Sequence, residues 1–202
     1  MLKAFLDPKK TLHTCTAKNC EGCEISEKLV CHFNINQLFW FILMAIPVFL
    51  YSVFFIYQFN PFLLIPWIIF ILSYFGFIEI RVMCSHCPHY AEPEIKFLKC
   101  WANYGSPKLW KYRPGPMSIF EKIVFYTGFI IILSPPIVLL ILQKSYLFLI
   151  LYMILIIAWK LALKVFYCNR CINFTCPLNN VNREIRNNFF NKNPVVRDAW
   201  KE

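Results

Sequence analysis

Four long apolar runs constrain this chain more than any other feature in it. They cover residues 38–57, 61–80, 123–142 and 146–166, and a helix that crosses a bilayer needs about 20 largely apolar residues. The first and third carry no charge. The second has Glu79 at its far end, and the fourth has Lys160 and Lys164 near its end, where long stems reach the headgroups. The first run starts too late and is too long for a cleaved signal peptide. Only 16% of residues are charged and 58% are hydrophobic, against about 25% charged in soluble domains. That balance speaks against a water-soluble globule and rules out disordered and collagen-like chains.

The links within each pair of runs are very short: Gln58-Phe59-Asn60 and Gln143-Lys144-Ser145. The runs are therefore expected to form two antiparallel hairpins, 38–80 and 123–166, with residues 1–37, 81–122 and 167–202 on the opposite side. Of 21 Lys and Arg, only Lys144 lies in a short turn. The positive-inside rule then places both termini and the middle segment in the cytosol of a multi-pass cell-membrane protein. The expected fold is all-α and integral to the membrane, a four-helix bundle of two tandem hairpins with a cysteine-rich cytosolic cap. Pro47, Pro66 and Pro135-Pro136 sit inside runs. Each kinks its helix unless a neighbour satisfies the freed carbonyl. Packing geometry is the plain reading, and a lipid or quinone cavity is the alternative. No histidine lies in any run, so a bis-His haem inside the bilayer has no ligands.

Each hairpin runs into a Cys-x-x-Cys pair, Cys84/Cys87 and Cys168/Cys171, so the chain reads as two copies of one unit. All ten cysteines fall outside the apolar runs, on the side expected to be cytosolic. There, stable disulfides are rare and paired thiolates serve as metal ligands. They form three groups: Cys15, Cys20, Cys23 and Cys31; Cys84, Cys87 and Cys100; and Cys168, Cys171 and Cys176. The candidate metal set is Cys15, Cys20, Cys23, Cys31, Cys84, Cys87, Cys168, Cys171 and Cys176, with His86 and His89. Cys84, Cys87, Cys168 and Cys171 are expected to converge on one iron–sulfur cluster, with Cys100 and Cys176 completing or shielding it. The amino-terminal four would form a second site. Proline follows Cys87 and Cys176, as it often follows an iron–sulfur ligand. Zinc, which takes four Cys or His ligands, and plain thiol chemistry remain alternatives.

The layout over 38–177, with Cys87-Pro88 and Cys176-Pro177 after the two hairpins, resembles the membrane polyferredoxin (NapH/NosR-like) subunits of nitrate- and nitrous-oxide-reduction systems. The resemblance implies ferredoxin-type clusters and electron transfer from quinol. That family carries C-x3-C-P, whereas this chain has C-x2-C-P and C-x4-C-P and lacks the C-x2-C-x2-C-x3-C-P run.

The segment 100–116 is dense in aromatic, proline and basic residues and is expected to be ordered. It reads either as an interfacial belt or as a docking surface using Lys108, Lys111 and Arg113. Glu79 reads as a snorkelling or helix-end acid. Residues 179–202 read as a solvated tail, with a short surface helix over 181–190 as the alternative. No phosphate loop, catalytic triad or carboxylate pair occurs. The basic excess fits anionic lipid better than nucleic acid. The functional expectation is a membrane electron carrier whose partners are the lipid bilayer and a quinone or cytosolic redox protein. A zinc-stapled assembly protein and a membrane enzyme with a lipid-like substrate are the rivals.

Overall fold

The computed structural model describes residues 11–201. Among them regular structure is entirely helical, apart from an isolated antiparallel bridge between Phe97 and Pro107. The helices are α1 (Glu24–Lys28), α2 (Ile35–Phe59), α3 (Pro61–His86), α4 (Ile119–Leu142), α5 (Tyr146–Cys168), α6 (Arg183–Lys192) and α7 (Pro194–Ala199). Four of them, α2 to α5, are long and apolar enough to cross a membrane. Each extends a few residues beyond its apolar run except at the starts of α3 and α5 and the end of α4. The extension is local chemistry: Asn34 caps the Asn36 amide, and Ser118 and Glu121 form a reciprocal capping box, which satisfies orphan amides in the first turn.

The two turns stop and restart helices by different means. Asn60 donates its amide to Ile56 O while its side chain accepts from Phe62 N, so one residue closes α2 and opens α3. After α4, Lys144 adopts φ 54°. Its amide reaches Ile141 O at 3.0 Å, and the Ser145 amide reaches Leu140 O at 2.9 Å. This is a Schellman closure.

Several polar groups inside the helix contacts are paired, as a low-dielectric interior favours, whereas Trp159 Nε1 is buried without a hydrogen-bond partner. Ser52 Oγ lies 2.8 Å from Tyr152 Oη, Tyr51 Oη donates to Phe148 O at 2.7 Å, and Tyr74 Oη donates to Phe125 O at 2.7 Å. Trp67 Nε1 donates to Ile132 O at 3.0 Å, the carbonyl whose helical donor is removed by Pro136. Helices α2 and α4 run through Pro47 and Pro135-Pro136 without a break in assignment. Outward-facing apolar side chains stay open, such as Ile119 at 78% and Phe62 at 77% exposed, which suits a lipid surrounding.

Two expectations are corrected here. Among the described residues, 179–201 are not a solvated tail: α6 and α7 fold back, and Phe189 is 1% exposed against Phe174, ring centroids 5.1 Å apart. Glu79 does not snorkel, since it is 4% exposed. In α3 the stretch Tyr74–Ile78 is a π-turn, and Glu79 follows it directly on a buried face.

Candidate metal centres

All ten cysteines are free thiols, and nine of them assemble as two sets. The first comes from the amino-terminal segment. Cys15, Cys20, Cys23 and Cys31 line one cavity of about 20 Å³ together with Phe189, Lys192 and Asn193. The Cys20–Cys23 turn closes through Cys23 N to Cys20 O at 3.3 Å, with Gly22 at φ 67°, a conformation that favours glycine. His32 Nε2 lies 3.4 Å from Cys20 Sγ, and Lys192 Nζ lies 3.5 Å from Cys23 Sγ. Burial and then the neighbouring thiols push Cys20 up, and the same causes push Cys31 up to about 12. Burial also pushes on Cys23, but the Ser26 and Ile25 amides and Lys192 outweigh it and hold that thiol below its ordinary value.

The second set joins both halves of the chain. Cys84 and Cys87 sit on the 3-10 turn that ends α3, closed by Cys87 N to Cys84 O at 2.9 Å. The Phe97–Pro107 bridge, with Leu98 N to Ser106 O at 2.8 Å, delivers Cys100. Helix α5 ends on a π-turn, Lys164–Cys168, and the chain then bends through Cys171 to Cys176. Asn179 Nδ2 braces that bend by donating to Cys171 O and Asn173 O. The halves are tied by Asn173 Nδ2 to Met83 O at 3.4 Å and by Met117 N to Thr175 Oγ1 at 2.6 Å. Cys84, Cys87, Cys100, Cys171, Cys176 and His89 line a shared cavity of about 60 Å³. Burial, with neighbouring thiols adding to it, drives Cys87 and Cys171 well up, and burial raises Cys100 too. Burial leads again at Cys176, which is pushed up to about 12. Thiols raised by desolvation bind a cation as thiolates only when the cation itself replaces the lost solvation.

Not every candidate joins a set. Cys168 lines a larger neighbouring cavity of about 320 Å³ with Cys171 and Cys176. His86 points elsewhere: its Nδ1 lies 2.7 Å from Gly115 O and its Nε2 3.5 Å from Glu121 Oε1. His89 lines the second cavity, with Nε2 3.3 Å from Val30 O, and burial lowers it to about 4. Two of the three proposed docking cations are engaged within the chain. Arg113 meets Glu121 at 2.6 Å, and Lys108 donates to Glu92 O at 2.6 Å. Among the described residues, no three or more His, Cys, Asp or Glu side chains stand closed at metal-holding geometry; the thiols face common cavities instead. In donor chemistry, each set supplies at least the four soft ligands that zinc or an iron–sulfur cluster takes.

Three residues near the cysteines were not legible as site residues. Asn103 Nδ2 lies 3.0 Å from Glu79 Oε2 and 3.1 Å from Cys84 Sγ. Glu79 itself lines the 320 Å³ cavity with Asn103 and the three cysteines. Lys192 reaches the first set across 169 residues of sequence. Only Asn103 carried a hint, its place three residues after Cys100. The chain matches no family model, no curated protein and no solved structure.

Proposed function

We propose that the protein is an integral membrane metal-binding protein that carries electrons through an iron–sulfur cluster on the cytosolic face. In this reading the four spans form a bundle of two hairpins, and the cysteine-bearing segments form its cap. The observation that carries it is the meeting of Cys84, Cys87, Cys100, Cys171 and Cys176, from both halves of the chain, on one cavity of about 60 Å³. A single water-sized body takes about 10–15 Å³ of such space, so the cavity has room for several atoms and not just one ion. Bound there, a cluster supplies one-electron chemistry. The chain's part is to supply four thiolates, to exclude water and to aim donors at sulfur, as Asn103 is aimed at Cys84.

The membrane-side partner in this reading is a quinone-class molecule. It would occupy the apolar cavity of about 320 Å³ whose aromatic wall includes Phe49, Phe75, Phe129 and Trp159 and which touches Cys168, Cys171 and Cys176. Glu79 and Asn103 line the same cavity, and in this reading they would exchange a proton and a hydrogen bond with a ring oxygen. A cytosolic redox protein takes the other side.

Protein purified without oxygen in detergent tests the reading by its visible spectrum with iron and acid-labile sulfide analysis. A broad visible band with both elements is expected, and Cys87→Ser should abolish it. Colourless protein without iron overturns the proposal.

A further inference from the structure

The amino-terminal cysteines form a site of another kind. We propose that Cys15, Cys20, Cys23 and Cys31 hold one zinc-class ion, which pins the amino-terminal segment to α6. The inference stands on its own cavity and its own donors, so it does not depend on a cluster in the second set.

Size decides the nuclearity. The shared cavity is about 20 Å³, room for roughly one water-sized body at 10–15 Å³ and a third of the volume at the second set. Four thiols line that small space, the number that a closed tetrahedral shell takes with no open position. A closed, all-sulfur, four-ligand shell is the structural zinc arrangement.

Charge and hydrogen bonding point the same way. Four thiolates around a divalent ion leave two negative charges. The Lys192 ammonium at 3.5 Å from Cys23 Sγ and the His32 ring at 3.4 Å from Cys20 Sγ are placed to offset them. The Cys20-Glu21-Gly22-Cys23 turn with Gly22 at φ 67° sets two sulfurs on one side of a tight loop.

The geometry also says what the ion does for the fold. Phe189, Lys192 and Asn193 wall the same cavity. Thr14 Oγ1 donates to Asn193 Oδ1 at 2.8 Å, and Thr16 N donates to Lys192 O at 2.9 Å. Segments far apart in sequence therefore meet at the ion's position, beside the five-residue helix α1, which buries Ile25 alone.

Metal analysis of the full chain in detergent tests this. About one zinc per chain is expected, lost in the double variant Cys20→Ser/Cys23→Ser while iron and sulfide stay unchanged. Lys192→Gln should weaken zinc retention roughly tenfold to a hundredfold, the usual effect of removing a ligand's outer partner. Zinc absent from the wild type, zinc retained by the double variant, or iron and sulfide lost with it would each overturn the inference. Should the double variant fail to fold, the wild type treated with a chelator decides. Tryptic cleavage after Lys18 and Lys28 should accelerate about tenfold and slow again on adding zinc ions; indifference to the chelator counts against the site. Wild type with zinc but no iron would uphold this inference and sink the cluster.

Discussion

Asn103 shows how much one side chain can set at a cysteine site. Its amide meets both Glu79 and Cys84, and a donor aimed at a ligand sulfur favours the reduced, more negative state of a cluster. If the second site holds the proposed cluster, Asn103→Leu should therefore lower its reduction potential. A hydrogen bond of about 1 kcal/mol corresponds to roughly 40 mV for one electron. Redox titration of the purified variant reads the shift directly, and an unchanged or raised potential would contradict it. Gly128 is the packing counterpart. A Cβ there would stand 1.8 Å from the Tyr74 ring, and that ring is fixed by its bond to Phe125 O. Replacing Gly by Ala gains about 1 kcal/mol in helix propensity, but overpacking a fixed ring costs about 1–3 kcal/mol. Gly128→Ala should thus melt below the wild type in detergent, and Tyr74→Ala in the same chain should relieve the clash.

At the scale of elements, Trp67 and Pro136 act as a pair. Pro136 removes the amide that Ile132 O would otherwise accept, and Trp67 Nε1 supplies the replacement from α3. An unsatisfied buried carbonyl costs about 1–3 kcal/mol. Trp67→Phe should lower stability by that order in the wild type and by clearly less in a Pro136→Ala background, where the helix regains its own donor. Thermal unfolding of the four proteins in the cycle measures the coupling, and equal losses in both backgrounds would refute the pairing. The turn after α4 offers a change of opposite sign. Lys144 holds φ 54° at the Schellman position, where glycine has no Cβ penalty. Lys144→Gly should raise stability by about 1 kcal/mol. The two π-turns, Tyr74–Ile78 and Lys164–Cys168, lie in the second helix of each hairpin, shortly before or at its cysteine pair. Such turns gather at functional sites, and here each lies in the helix that leads into a Cys-x-x-Cys pair.

At the scale of the whole molecule, the charge map yields a topology that labelling can check. With one Lys in the two short turns and the rest of the basic residues on the other side, both termini and the segment between α3 and α4 should lie in the cytosol. A membrane-impermeant reagent applied to intact cells should label a cysteine placed at Gln58 or Gln143 and spare one placed at Lys111. The reverse pattern would invert the protein and move the cysteines out of the reducing compartment.

The four long apolar helices, the short turns between them and the Cys-x-x-Cys pairs were legible in the sequence. Apolar length, turn length and Cys-x-x-Cys spacing are local properties that survive without knowledge of neighbours. The short helix read as the alternative over 181–190 is present as α6, but the solvated-tail reading fails because Phe189 and Phe190 in a polar stretch look like a tail until Phe174 is known to receive them. Glu79 was misread for the same reason, since its depth depends on a π-turn and on a loop residue 24 positions later. His86 looked like a ligand by spacing, yet its ring is turned to Gly115 and Glu121. The sequence by itself determined that the chain is helical, that four of its helices suit a membrane and that its cysteines stand outside the four apolar runs. Which thiols share a cavity, how large each cavity is and which cation faces it were decided by tertiary structure. Those depend on contacts between residues as far apart as Cys23 and Lys192, and no local pattern encodes a distance across the fold.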